Sequence, residues 1–341
     1  MFAVVQHASG VREPGDSRGA ESGLLDDDEA VDATEVATAR FGQCCRNFSS
    51  GKGLRRHSRI ASLPPMATIE CRSAQPNVPS VWVEVEGITD DEVTTIRNLL
   101  DGFLQSEAQV STAVAKALVV ASRISPSANP SDLWQHVIYR HLLSIGWNDN
   151  KWKRVSGFAL ERALVAIYEP RLAPYGLRMR VLPNRVANSF LSTLDANIKA
   201  TKVDLFLEGE TFEGWGIFGV AHVKASIAER IQDDVPASRV LMAADLMSIA
   251  LTMDAKSYPP PHGDCVNYGE LGGRSRGVEK ERLKRNYVEV DGQFDGLFSF
   301  NLRTPESPAQ TASGKRIHTL SLSEDQPDKL VRFLVDGFGA T

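Results

Sequence analysis

From Met66 onward the chain alternates between stretches with a helical period and short apolar runs, whereas the first 65 residues sustain neither pattern. Asp90 to Leu104 sets Ile96, Leu99, Leu100 and Phe103 on one face of a predicted helix. The Ala- and Val-rich stretch Gln109 to Ser122 reads as a second. Asn129-Pro130-Ser131-Asp132 opens a third, running to about Leu143, with Ser131 as the expected N-cap and an acid in the first turn. A fourth, Gly157 to Tyr168, turns Leu160, Ala163, Leu164 and Ile167 toward a core and ends before Pro170. Strands are predicted at Val81–Val85, 177–182, 202–208 and 216–223. A helix at 226–232 and an apolar helical stretch from Ser238 to Leu251 follow. The remainder is turn-rich, with late strands at 286–290 and 296–302 and a short helix near 327–336. Helices flanking a short mixed central sheet make one α/β domain over residues 66–341.

Composition narrows the class. Apolar content of 42% and charged content of 24% are those of an ordinary globular protein, and no apolar run approaches a membrane span, so a cytoplasmic protein with no membrane partner is expected. The four cysteines, Cys44, Cys45, Cys71 and Cys265, have no CxxC spacing; neither a zinc site nor a disulfide framework is expected. A net charge of −5 gives no global nucleic-acid signature, though a local basic cleft can coexist with an acidic remainder. Residues 1–65, with the acidic run Asp26-Asp27-Asp28-Glu29, are expected to be either a disordered extension or sequence upstream of the true start at Met66, the second being favoured.

The candidate chemistry lies in two apolar segments that each carry one inset charge, Asp204 in Lys202–Leu207 and Lys224 at the end of Gly219–Lys224. A carboxylate on one strand and a lysine closing its neighbour suit metal-assisted phosphodiester hydrolysis, the acid holding Mg²⁺ and the ammonium orienting a water. The plain alternative for each is a solvent-facing residue at a strand end. His222, two residues before Lys224, is a poor Mg²⁺ ligand, so a further acid must come from elsewhere. Glu161, beside the apolar face of its helix, is the best supplier, its plain reading being a solvated helix acid paired with Arg162 or Arg154. Asp233 and Asp234 are further candidates, their plain reading being a helix C-terminus or turn before Pro236. Ser226-x-x-Glu229 fits a capping box, which taken alone is the simpler role for Glu229. Yet Arg230 and Glu229 together could read guanine and cytosine edges in a major groove.

At these residues the chain resembles the AgeI-type enzymes within the CCGG-cutting branch of type II restriction endonucleases. The resemblance covers Asn129-Pro130-Ser131-Asp132-Leu133-Trp134, Arg154 through Glu161, Lys202-Val203-Asp204 and Lys224 through Arg239. It continues in Tyr258-Pro259-Pro260-Pro261-His262-Gly263-Asp264, Lys284-Arg285-Asn286-Tyr287 and Phe300-Asn301-Leu302-Arg303-Thr304. It implies a restriction-endonuclease-like core of the PD-(D/E)XK kind that cleaves double-stranded DNA at a CCGG-containing site, A/CCGGT in this branch, with Mg²⁺. Asp204 and Lys224 fall on the family's catalytic acid and lysine, and Glu161 on the acid of an upstream helix that shares the metal with Asp204. Glu229 and Arg230 match the pair that reads the inner C·G pairs, and Arg154 a further DNA contact.

There are two departures. Ala228 stands where several relatives have another arginine, and Ala237 where they place a displaced acid, with Asp234 about one helical turn earlier. A palindromic target implies a homodimer on DNA, and a restriction system implies a cognate DNA methyltransferase. The same core with another CCGG-containing or repair target, or a catalytically dead DNA-binding protein, are the alternatives.

Overall fold

The computed structural model describes residues 64–72, 79–194, 198–199, 202–227, 231–257, 263–272, 283–323 and 328–339. Apart from Pro64 and Pro65, the expectation for the first 65 residues lies outside these, as does most of the Tyr258–Asp264 turn. Two short strands, Met66–Cys71 (β1) and Val81–Glu86 (β2), pair antiparallel as a separate sheet. Their alternate residues Ala67, Ile69, Val83 and Val85 are buried against Val93 and Ile96 of α1 (Asp90–Ser106). A capping box holds the start of α1: Thr89 Oγ1 accepts from Glu92 N–H at 3.2 Å, while Thr89 N–H donates to the Glu92 carboxylate at 2.8 Å.

After α2 (Val110–Ile124) the third helix runs in three pieces: α3 (Pro130–Asp132), a π-helix (Leu133–Tyr139) and α4 (Arg140–Ser144). Its N-cap is Asn129, whose Oδ1 accepts from Ser131 N–H, rather than Ser131 itself. With Pro130 at the first helical position, the cap has to lie one residue before the proline. The fourth helix, α5 (Asp149–Leu172), begins eight residues earlier than its apolar face suggests, because Asn148 caps it and its first turns are solvated. It also runs past Pro170.

The main sheet has six strands: β3 (Leu177–Arg180), β4 (Leu205–Thr211), β5 (Gly214–Lys224), β6 (Met247–Thr252), β7 (Gly296–Ser299) and β8 (Arg316–Thr319), in that spatial order. The first two pairings are antiparallel and the remaining three parallel, giving the expected mixed sheet flanked by helices. β4 and β5 lack clean alternation because the sheet is covered on both sides. Leu205, Leu207, Ala221 and Val223 pack with Leu160, Leu164 and Ile167 of α5. On the opposite face Phe206 and Val220 pack with Ala187 and Leu191 of α6 (Asn184–Leu191) and Leu241 of α7 (Ile231–Ala243).

Several sequence expectations shift. The strand predicted at 202–208 begins only at Leu205, leaving Asp204 just ahead of it. The stretch Ser238–Leu251 divides into the end of α7 and β6, with Asp245 turning the chain at φ +57°. The strand predicted at 286–290 is helical, α8 (Leu283–Glu289), and the last helix is α9 (Lys329–Phe338). Cys71 and Cys265 are joined in a disulfide across 194 residues, against the expectation from spacing. The fold, rather than local sequence, brings them together beneath the small sheet.

Gly87 closes the turn after β2 at φ +81°, and a Cβ there would lie 2.6 Å from the Ser127 carbonyl oxygen and 2.7 Å from Ala128 Cα. Gly87→Ala therefore incurs both a left-handed backbone penalty of about 1–2 kcal/mol and an overpacking cost of about 1–3 kcal/mol. Urea denaturation is expected to show a loss of about 2–5 kcal/mol. A change below about 1 kcal/mol would mean that this turn does not pack on residues 125–128.

Candidate active site

The antiparallel pairing of β4 and β5 matches Leu205 with Ala221, so Asp204 arrives opposite the last residues of β5. There its Oδ2 accepts from Val223 N–H at 2.6 Å and from Lys224 Nζ at 2.9 Å. Alternation along β5 puts Lys224 on the same side as His222 and Val220, the face covered by α7. From the first turn of α7 the buried Asp234 carboxylate reaches Lys224 Nζ at 2.9 Å. One ammonium thus sits between two carboxylates. Burial opposes its charge, but Asp204 and Asp234 outweigh that and hold its pKa above the ordinary lysine value. Burial, against the pull of Lys224, pushes the Asp234 carboxyl up.

Glu161 comes from the other face of the sheet, on α5, where it is 8% exposed. Its carboxylate makes no hydrogen bond among the described residues. Burial and then the charge of Asp204 push its pKa up to about 7, with Lys224 and Arg162 pulling the other way. The structure therefore brings Glu161, Asp204 and Lys224 into one electrostatic unit and adds Asp234. It leaves out Asp233, which is exposed on α7. Arg154 is exposed on α5, seven residues and so about two turns before Glu161 on the same side of the helix.

His222 is not a ligand here. It is buried, its ring meets Phe294 edge-on and its Nε2 lies 3.3 Å from Ser248 Oγ. Burial lowers its pKa to about 4, so the imidazole is neutral. Glu229, Arg230 and Ala228 lie outside the described residues. The helix expected from residue 226 is described only from Ile231; Ser226 Oγ donates to Glu270 at 3.4 Å, and Glu229, its expected capping partner, lies outside the described residues.

The donor set suits a hard divalent cation. Among the described residues no group of three or more acids, histidines or cysteines forms a ready-made cage. Mg²⁺, however, commonly uses one or two carboxylates and keeps several waters. Glu161, desolvated and facing a like charge, lacks the counter-charge that such an ion would bring.

Sequence reading missed one feature beside this site. Asp132 looked like an ordinary first-turn acid, yet it is 1% exposed and bound to Arg303, and only the repeated Asn and Asp residues of the two motifs hinted at a network.

The raised pKa of Glu161 has a definite consequence for stability. Between about pH 4.5 and 7 the unfolded chain releases this proton before the folded chain does, so stability attributable to Glu161 is lost as pH rises through that window. With divalent metal chelated, Glu161→Gln is expected to be more stable than the unsubstituted chain at pH 8 by about 1–3 kcal/mol. The gain should vanish near pH 4, and denaturation at the two pH values measures it. Equal stability at pH 8 would contradict the desolvation of Glu161.

Comparison with known proteins gives a consistent answer. No protein-family model matches the chain. The type II restriction enzyme AgeI of Thalassovita gelatinovora is 42% identical over 234 residues, covering 65% of this chain and 82% of that enzyme. The crystal structure of a specific AgeI–DNA complex superposes with a TM-score of 0.71 at 35% identity, over 80% of this chain and 99% of that one. A pre-specific BsaWI–DNA complex aligns at 16% identity with a TM-score of 0.36, too low to bear on fold or function. With its identity to AgeI spanning most of that enzyme's length and the fold shared, the chain belongs to the AgeI-type family of type II restriction endonucleases.

Proposed function

We propose that this chain cuts double-stranded DNA at A/CCGGT in a Mg²⁺-dependent hydrolysis, leaving CCGG 5′ overhangs. The observation that carries the reading is Lys224 held between Asp204 and Asp234 at the end of β5, with the Glu161 carboxyl feeling the charges of Asp204 and Lys224, in a chain 42% identical to AgeI. Asp204 and Glu161 are the residues to hold the ion. When bound, the ion activates a water for attack and offsets charge gathering on the phosphate. Lys224 holds its proton firmly, so its role is to orient the attacking water and face the anionic phosphate rather than to act as a base. Asp234 keeps that ammonium in place and takes the part of the acid that the family resemblance sets at Ala237.

Glu229 and Arg230 supply direct readout of the inner C·G pairs, with Arg154 as a further contact. The DNA-bound relative supports DNA as the partner. A palindromic target is met by two copies related by a twofold axis, one active site per strand. A cognate DNA methyltransferase protects the host's own sites. The nuclease itself occupies residues 66–341.

Plasmid digestion with mapped ends tests the reading. Cleavage at ACCGGT is expected with Mg²⁺ and none with a chelator. Asp204→Ala should abolish scission while leaving binding to a duplex containing the site intact. Arg230→Ala should reduce discrimination between ACCGGT and single-pair variants by about 1–3 kcal/mol, roughly 5- to 150-fold. Ends mapped at another sequence would refute the specificity, and absence of cutting would refute the enzyme.

A further inference from the structure

We infer that Arg303 reads a guanine in the major groove, aimed by the buried carboxylate of Asp132. This rests on the DNA-cleaving reading above and adds a specificity residue to it.

The location follows from strand direction. β6 and β7 run parallel to β5, so their C-terminal ends share the edge that bears Lys224. The chain leaving β6 lies against the segment that follows Lys224: Met253 N–H donates to the Lys224 carbonyl at 3.1 Å, and Ala255 N–H to the Ala225 carbonyl at 3.0 Å. The chain leaving β7 lies next to it in turn, with Asn301 Nδ2 donating to the Asp254 carbonyl at 3.1 Å. Arg303 is thus one loop removed from the segment leading to Glu229 and Arg230.

The turn that carries Arg303 is fixed by buried side chains. Asn301 Oδ1 accepts from Arg303 N–H and from Asn129 Nδ2, each at 3.0 Å. Thr304 Oγ1 donates to Asp254 at 2.9 Å. Asp132 Oδ2 accepts from Arg303 Nη1 at 2.6 Å, and its other oxygen accepts from the buried Asn267 at 3.2 Å. The Arg303 side chain is 30% exposed, and its Nε and Nη2 have no hydrogen-bond partner among the described residues. These two nitrogens form one edge of the planar guanidinium, a two-donor fork that fits the O6 and N7 acceptors of guanine.

A phosphate contact would use the same donors, but the pairing argues for a base. Phosphate binding draws on net positive charge, which Asp132 cancels locally. Base reading draws on fixed orientation, which Asp132 provides. Asp132 is accordingly a positioning residue for Arg303.

The experiment compares the unsubstituted chain with Arg303→Lys and Arg303→Gln. Binding and cleavage are measured on ACCGGT duplexes and on every single-pair variant, across a range of salt concentrations, with thermal melting as the control for folding. Lysine keeps the charge and loses the fork. Arg303→Lys is expected to keep the melting temperature and the salt dependence of binding. Its cognate preference should fall about 5- to 150-fold, with the loss confined to one G·C pair. Asp132→Asn should lower discrimination at that same pair. Should Asp132→Asn fail to fold, the Arg303 variants still decide. Undiminished discrimination in Arg303→Lys would overturn the inference. So would an equal loss on every duplex in Arg303→Gln with a salt slope shallower by about one, the behaviour of a phosphate contact. If the unsubstituted chain shows no site preference, the functional reading falls and takes the inference with it. If it is specific and Arg303→Lys is equally so, the inference alone falls.

Discussion

The ammonium of Lys224 is the group around which this molecule's active edge is organised. It lies 2.9 Å from carboxylates on either hand, Asp204 just before β4 and Asp234 on α7, and faces Glu161 from across the sheet. A half-buried lysine, a half-buried Asp204 and a buried Asp234 are each costly alone, and together they are tolerable. The arrangement requires the antiparallel β4–β5 register, a helix on each face of the sheet and a strand that ends at residue 224. A slip of one residue in the register would turn every side chain to the opposite face and leave each of these charges without its partner.

The balance among these charges is incomplete, and the imbalance falls on Glu161. Two acids share one lysine, while the third is desolvated and held near pH 7 at its midpoint. Perturbed acids of this kind cluster at functional sites because the missing counter-charge arrives with a ligand. Neutral His222 adds nothing to the charge count; its role is to fill space between Ser248 and Phe294 beneath the lysine.

Beside this catalytic edge lies a second polar construction of different character. Asn129, Asp132, Asn267 and Asn301 are all buried, and the Asn129–Asn301 and Asn267–Asp132 bonds tie segments more than a hundred residues apart, while Asn301 Nδ2 donates to the Asn267 carbonyl at 3.1 Å. Satisfied networks of this sort rigidify what they join. Here they hold the chain ends of β6 and β7 against α3, directly ahead of the π-helix that runs from Leu133 to Tyr139. The Cys71–Cys265 bond fastens the same loop region to the small sheet. The net charge of −5 reveals neither construction.

The sequence by itself determined the helices with long apolar faces, the two central strands and the pair Asp204 and Lys224. An inset charge in an apolar run is visible without coordinates, and so is the periodicity around Ile96 or Leu164. It also specified Glu161 as an acid beside an apolar face, and the family-like motifs placed these residues in a nuclease. What it left open were matters of long-range contact. The choice of Asp234 over Asp233 depends on which side of α7 meets β5, a packing decision that one turn of acidic residues does not encode. The helical state of Leu283–Glu289 and the division of Ser238–Leu251 were decided by the layers they join, where short apolar runs fit either period. The pairing of Asp132 with Arg303 and of Cys71 with Cys265 spans 171 and 194 residues, and such partners become neighbours only when the sheet order is complete.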